Sequence, residues 1–192
     1  MMCIDHISMI SELNIIVMGK FDKFDILMQT EPSKAYAYFL ELCQSDSCVE
    51  EIRYMVDSGI NPRQNNDEPL VKSCYGYNVD IVKYFINECG ADVNAYDSIG
   101  LFNSVDNNTH TITKFLLENG VIVTDKIIYY AIRWFKSESI ELFLQYGVDP
   151  YRITNILWEY LNDQRPHMFK IMQHLNKNNV DFNQSLDLFT KK

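Results

Sequence analysis

Residues 81–97, reading IVKYFINECGADVNAYD, limit what this chain can fold into more than any other stretch. Ile81, Val82, Phe85 and Ile86 fall on one face at helical spacing. Gly90 follows, where a left-handed residue ends a helix without a Cβ clash. Residues 91–95 then make a polar turn around Val93. Imperfect copies recur at 52–62, 115–121, 142–150 and 175–183, with stops at Gly59, Gly120, Gly147 and, in the last copy, Asn179. The stops are 31, 30, 27 and 32 residues apart. A period near 30 with an apolar helical run before every stop predicts stacked helical hairpins. Each hairpin then buries its apolar face against its neighbours.

The central copy resembles the ankyrin repeat, whose period is about 33 residues. Glu68-Pro69-Leu70-Val71 stands where that family has Thr-Pro-Leu-His, and Ser73-Cys74 where it has two small residues. Asp80-Ile81-Val82-Lys83 and Gly90-Ala91-Asp92-Val93-Asn94-Ala95 follow in register. The resemblance covers residues 33–183 and implies an all-α ankyrin-repeat solenoid of helix-turn-helix repeats with irregular N- and C-terminal caps. The repeats divide as 33–63, 64–95, 96–123, 124–150 and 151–183, with a capping segment at 1–32 and a tail at 184–192. Gly59, Pro69, Leu70, Gly90, Asp92, Asn94, Gly120, Gly147 and Asn179 carry the repeat structure.

Local signals fill in the elements. Ala35–Cys43 and Val49–Asp57 read as the first helix pair, and Pro69 opens the next first helix. Cys89 reads as a one-residue insertion before the Gly90 stop, and Gly76-Tyr77 as an altered inter-helix turn. Ile99-Gly100-Leu101-Phe102 replaces the Thr-Pro-Leu-His block after a shorter turn. Asn107-Asn108 supplies a turn that tolerates a left-handed backbone. Thr124 or Asp125 caps one helix, Ser137 or Ser139 opens another, Thr154 caps a third, and Pro166 opens the last. Leu70, Ile81, Val82, Phe85, Leu116, Ile128, Ala131 and Phe143 are the expected core.

Candidate chemistry does not converge. His167 and His174 are two ligands where a zinc site takes four, or three and water. Gly19-Lys20-Phe21 lacks the upstream glycine and following hydroxyl of a phosphate loop. Nothing places a base beside Cys43 or Cys74. Glu50-Glu51 and Asp67-Glu68 read as solvated helix starts. Asn94 reads as a structural asparagine, although in some ankyrin proteins this residue is hydroxylated. No cofactor or metal is expected.

The formal charge of −9 argues against a nucleic-acid partner, whose phosphates would need neutralising. No apolar run approaches the ~20 residues that span a bilayer. The cysteines at 3, 43, 48, 74 and 89 form no CxxC pair and read as reduced thiols of an intracellular, cytoplasmic protein.

In the ankyrin family the turn tips and exposed sides of the first helices form a concave strip that binds proteins. Carried over by register, the strip takes Arg63, Gln64, Asn66, Tyr75, Tyr96, Ser98, Asp106, Tyr130, Arg133, Trp134, Tyr151 and Arg152. Tyr130 and Trp134 fit packing between repeats equally well, and Trp158 reads as buried. The resemblance implies a monomeric, non-catalytic protein-interaction module, with an enzyme-complex subunit or a self-assembling structural protein as alternatives. Degenerate repeats rich in Asn, Ile, Tyr and Lys are similar in style to ankyrin proteins of large DNA viruses, giant viruses more than poxviruses, which engage host factors.

Overall fold

The computed structural model describes residues 20–45, 47, 49–160 and 168–178. The Asn179 stop, Cys3, Cys48, His167, Pro166, the side chain of His174, residues 1–19 and the tail lie outside them.

Eleven helices are described: α1 Lys20–Thr30, α2 Pro32–Gln44, α3 Val49–Asp57, α4 Gln64–Ser73, α5 Val79–Asn87, α6 Ala95–Asp106, α7 His110–Glu118, α8 Asp125–Arg133, α9 Ser137–Gln145, α10 Pro150–Tyr160 and α11 Met168–Lys177. They pack in two layers. First helices α2, α4, α6, α8 and α10 stack in sequence order, and second helices α3, α5, α7, α9 and α11 stack behind them. The fold is an all-α ankyrin-type solenoid. Leu70, Ile81, Val82, Phe85, Leu116, Ile128, Ala131 and Phe143 are all buried between the layers. α1 packs on α2, with Phe24 fully buried and its ring set edge-on to Tyr54.

Three stops share one closure. Ile60 N–H reaches Met55 O, Val121 N–H reaches Leu116 O, and Val148 N–H reaches Phe143 O, each five residues back. Gly59, Gly120 and Gly147 bond three residues back, completing the Schellman pair. The Gly90 stop is wider: Ala91 N–H reaches Phe85 O, six residues back. Cys89 is thus an inserted residue. Gly90 (φ +67°) still turns the chain.

Several local expectations change. α10 begins at Pro150, because Asp149 Oδ1 accepts Tyr151 N–H at 2.9 Å and starts the helix there. Thr154 lies buried inside it, its hydroxyl donating to Pro150 O at 2.7 Å. Thr124 caps α8, accepting from Ile127 N–H at 3.4 Å. α9 starts at Ser137 without a side-chain cap. The turn before Ile99 is not shorter than the one before Glu68, since both tips carry the same left-handed triplet described below. Asn108 adopts the left-handed conformation (φ 57°), and Phe135 does so in the next repeat (φ 56°).

Candidate functional site: the first-helix face and its tips

The tips at residues 60–67 and 91–98 run into the first residues of α4 and α6, whose right-handed turns begin only after residues 67 and 98. In the first, Asn65, Asn66 and Asp67 are all left-handed, and in the second Tyr96, Asp97 and Ser98 are. A left-handed non-glycine residue costs about 1–2 kcal/mol, so each turn needs anchors. Asn61 Oδ1 accepts Arg63 N–H at 2.9 Å, and Asp92 Oδ1 accepts Asn94 N–H at 2.9 Å. Asn94 Oδ1 accepts the Ser98 hydroxyl at 3.1 Å and the Ile122 N–H of the following repeat at 2.8 Å. The Tyr96 hydroxyl donates to Asn65 O at 2.6 Å, joining one tip to the other.

Asp67 is the buried anchor of the first tip, 2% exposed. Arg63 Nε and Nη2 donate to its two oxygens at 2.8 and 3.0 Å, and Asp92 N–H adds a bond at 3.1 Å. Burial alone would raise this carboxyl. The Arg63 guanidinium and the Asp92 amide outweigh it and hold it below the usual carboxylate range. Asp67 is therefore not a solvated helix start. The four-residue spacing from Arg63 is no helical signal here, because residues 65–67 are left-handed.

The floor behind the tips is aromatic. Tyr75 and Trp134 are exposed. Tyr130 is half-buried, its ring 4.5 Å from Phe102 and 6.2 Å from Trp134. So Tyr130 packs between repeats while Trp134, 57% exposed, stays on the surface. The Tyr130 hydroxyl donates to Asp106. Burial and that carboxylate push the phenol up to about 12, so it remains a donor at neutral pH. Arg133 lies 6.0 Å from the Trp134 ring. The adjacent left-handed Phe135 fixes the end of α8 that presents both.

Beyond α6 the tips shorten. α8 and α10 start five and three residues after their glycine stops with no left-handed triplet, whereas the right-handed turns of α4 and α6 begin only at residues 68 and 99, nine residues after theirs. A cleft of about 640 Å³ results, lined by Lys126, Tyr129, Asp149, Arg152, Ile156 and Glu159 among others. Arg152 crosses it, donating to Val123 O at 2.8 Å and to Asp125.

The expected strip is thus partly redistributed. Gln64 and Asn66 lie at the first tip, and Tyr75, Tyr96, Asp106, Tyr130, Arg133, Trp134 and Tyr151 reach the surface at least in part. Arg63 and Arg152 are on the surface, but their guanidinium groups are engaged internally, Arg63 with Asp67 in its own tip and Arg152 with Asp125 of the preceding repeat. Ser98 is buried, its hydroxyl turned into the tip, and leaves the strip. Sequence reasoning missed Phe102, Lys72 and Tyr129. Trp158 is half-buried, with a buried Nε1.

The Cys74 thiol is pushed up to about 12 by burial, and Cys43 is also raised by burial, so both sit as core groups. Among the described residues no three His, Cys, Asp or Glu side chains gather as a metal site, and no helix is long and apolar enough to cross a membrane.

Residues 65–98 match the ankyrin repeat family. No curated protein and no solved structure matches the chain. The matched segment runs from the first left-handed tip to the second and takes in α4, α5 and the Gly90 stop. Ankyrin repeats are generally protein–protein interaction modules, and this chain carries one at residues 65–98 inside an ankyrin-type solenoid.

Proposed function

We propose that the chain is a non-catalytic module that binds a protein partner along its first-helix face. The observation that carries this reading is the exposure of Tyr75, Tyr96, Tyr129 and Trp134 on the first helices and their tips. Aromatic and arginine side chains dominate interface energetics. The tips are already fixed by their own hydrogen bonds, so little ordering entropy is lost on binding. We further propose a partner among host or viral proteins in the cytoplasm, a reading supported by the similarity in style of the repeats to those of large DNA viruses.

The test is a pull-down from the cells in which the protein is made, followed by alanine substitution. Tyr96→Ala with Arg133→Ala is expected to weaken binding by at least about 2 kcal/mol, while stability falls only by the exposed Tyr96–Asn65 hydrogen bond, about 1 kcal/mol. Binding that survives this pair and is lost instead on changing Lys83 and Lys114, on the second helices, would overturn the assignment.

A further inference from the structure

The cations and carboxylates of the two faces are used differently. On the second helices α3, α5, α7 and α9 the cations are Arg53, Lys83 and Lys114. Each is paired: Arg53 with Glu88, Lys83 with Asp80 at 3.0 Å, and Lys114 with Glu118 at 3.8 Å. The first-helix face differs. There Glu68, Asp106 and Asp125 are engaged internally, while Glu41, Asp97 and Glu159 are exposed. Glu68 accepts the Tyr36 hydroxyl at 3.2 Å and the Asn65 amide at 2.9 Å, Asp106 accepts the Tyr130 hydroxyl, and Asp125 takes Arg152. Lys72 on α4 and Lys126 on α8 meet no carboxylate within salt-bridge distance among the described residues.

We propose that the partner seats an extended acidic segment on this face, with a bulky apolar side chain against Trp134 and Tyr75 and carboxylates directed to Lys72 and Lys126. This rests on the protein-binding reading above. Lys72 lies in the last turn of α4 and Tyr75 in the turn just past its end, where Tyr75 N–H donates to Lys72 O at 3.0 Å. Lys126, Tyr130 and Arg133 stand at helical spacing on α8. Phe102, on α6 between these two rows, has its ring 4.5 Å from Tyr130, which in turn lies 6.2 Å from Trp134 at the end of α8. An extended segment crossing the first helices meets both lysines and the exposed indole.

The net charge of −9 does not decide against such a partner. Charges beyond about 8 Å are screened at physiological ionic strength, so the local lysines outweigh distant carboxylates. The exposed carboxylates stand off the floor, Glu41 being on α2, outside the α4 to α8 rows. Asp97 is out on a tip, and Glu159 lines the α8–α10 cleft on the side of Lys126. Glu159 therefore opposes the segment and limits how far it extends toward α10.

The test uses the full chain and fluorescent peptides of equal length, read by anisotropy. One peptide has glutamate spacers around a single phenylalanine. The second has lysine spacers around the same phenylalanine, and the third has glutamates and no phenylalanine. A single-stranded DNA oligonucleotide serves as the other polyanion. The first peptide is expected to bind at least tenfold tighter than the other two and the DNA, more weakly as salt rises. Trp134→Ala and the pair Lys72→Glu, Lys126→Glu are each expected to cost at least tenfold. Glu159→Gln is expected to tighten binding, and Lys83→Glu with Lys114→Glu to leave it unchanged. Equal response to the acidic and basic peptides, including none to either, overturns the proposal. So does preferential binding of the DNA. A basic peptide that binds best and still depends on Trp134 rejects the acidic partner but keeps the first-helix face. Peptide binding that ignores Trp134 and follows Lys83 and Lys114 rejects both readings.

Discussion

The carboxylate of Asp67 accepts the backbone N–H of Asp92 at 3.1 Å, so the buried end of one tip holds the start of the next. Arg63 neutralises the same group from the solvent side. Asp67→Ala is expected to cost about 1.5–3 kcal/mol, the range for hydrogen bonds to a charged group. The half-exposed Arg63 regains water and keeps the loss from growing larger. Asp67→Asn is expected to lose less, because an amide oxygen still accepts from Asp92. Urea unfolding checks both. The folded carboxyl is held below its unfolded value near 3.9. Its contribution is therefore full above about pH 4 and disappears as pH falls through the folded value. In Asp67→Asn this acid-dependent part of the melting curve is expected to vanish.

Phe85 is fully buried and meets Phe39 of the preceding repeat edge-on, with centroids 6.2 Å apart. Phe85→Ala is expected to destabilise by about 3–5 kcal/mol as a core cavity. A urea midpoint that moves by less than about 1 kcal/mol would contradict the inter-repeat packing.

Gly100 is a packing glycine: a Cβ there would sit 3.1 Å from Cys74 Sγ. Gly100→Ala is expected to destabilise by about 1–3 kcal/mol through overpacking. Cys74→Ala removes the opposing sulfur. The double variant is expected to be more stable than the two single losses predict, by at least about 0.5 kcal/mol of coupling. Strict additivity in a double-mutant cycle would show that the α4–α6 contact yields without strain.

α1 covers the open side of the first helix pair through Phe24. Removing the chain through Thr30 is expected to lower amide protection in α2 and α3 first, leaving α6 to α9 closer to normal. Uniform protection after truncation, with unchanged melting, would remove the capping role.

The core was legible because it rests on spacing. Each apolar run stands a fixed distance before its stop, and burial of Leu70, Phe85, Ile128 and Phe143 follows from helical periodicity alone. Cys89 was legible for the same reason, as one residue too many. The tips were not legible. Asp67 and Ser98 look like any polar turn residue, and only the left-handed triplets turn them inward. A run of three left-handed non-glycine residues opposes local propensity, and tertiary bonds from Arg63, Asp92 and Asn94 stabilise it. Arg63 and Arg152 were assigned to the strip by register, which gives their face but not their internal partners.

The wider closure at Gly90 has a consequence for how this chain tolerates changes in length. A left-handed stop erases helical phase: the direction in which α5 pointed its side chains does not constrain α6. The extra residue at Cys89 would rotate everything after it by about 100° in a continuous helix. Here Ala91, Ala95 and Leu101 remain buried beyond it. The insertion at this stop is absorbed locally, and repeats whose glycine stops lie 27 to 31 residues apart share one stack without a common frame.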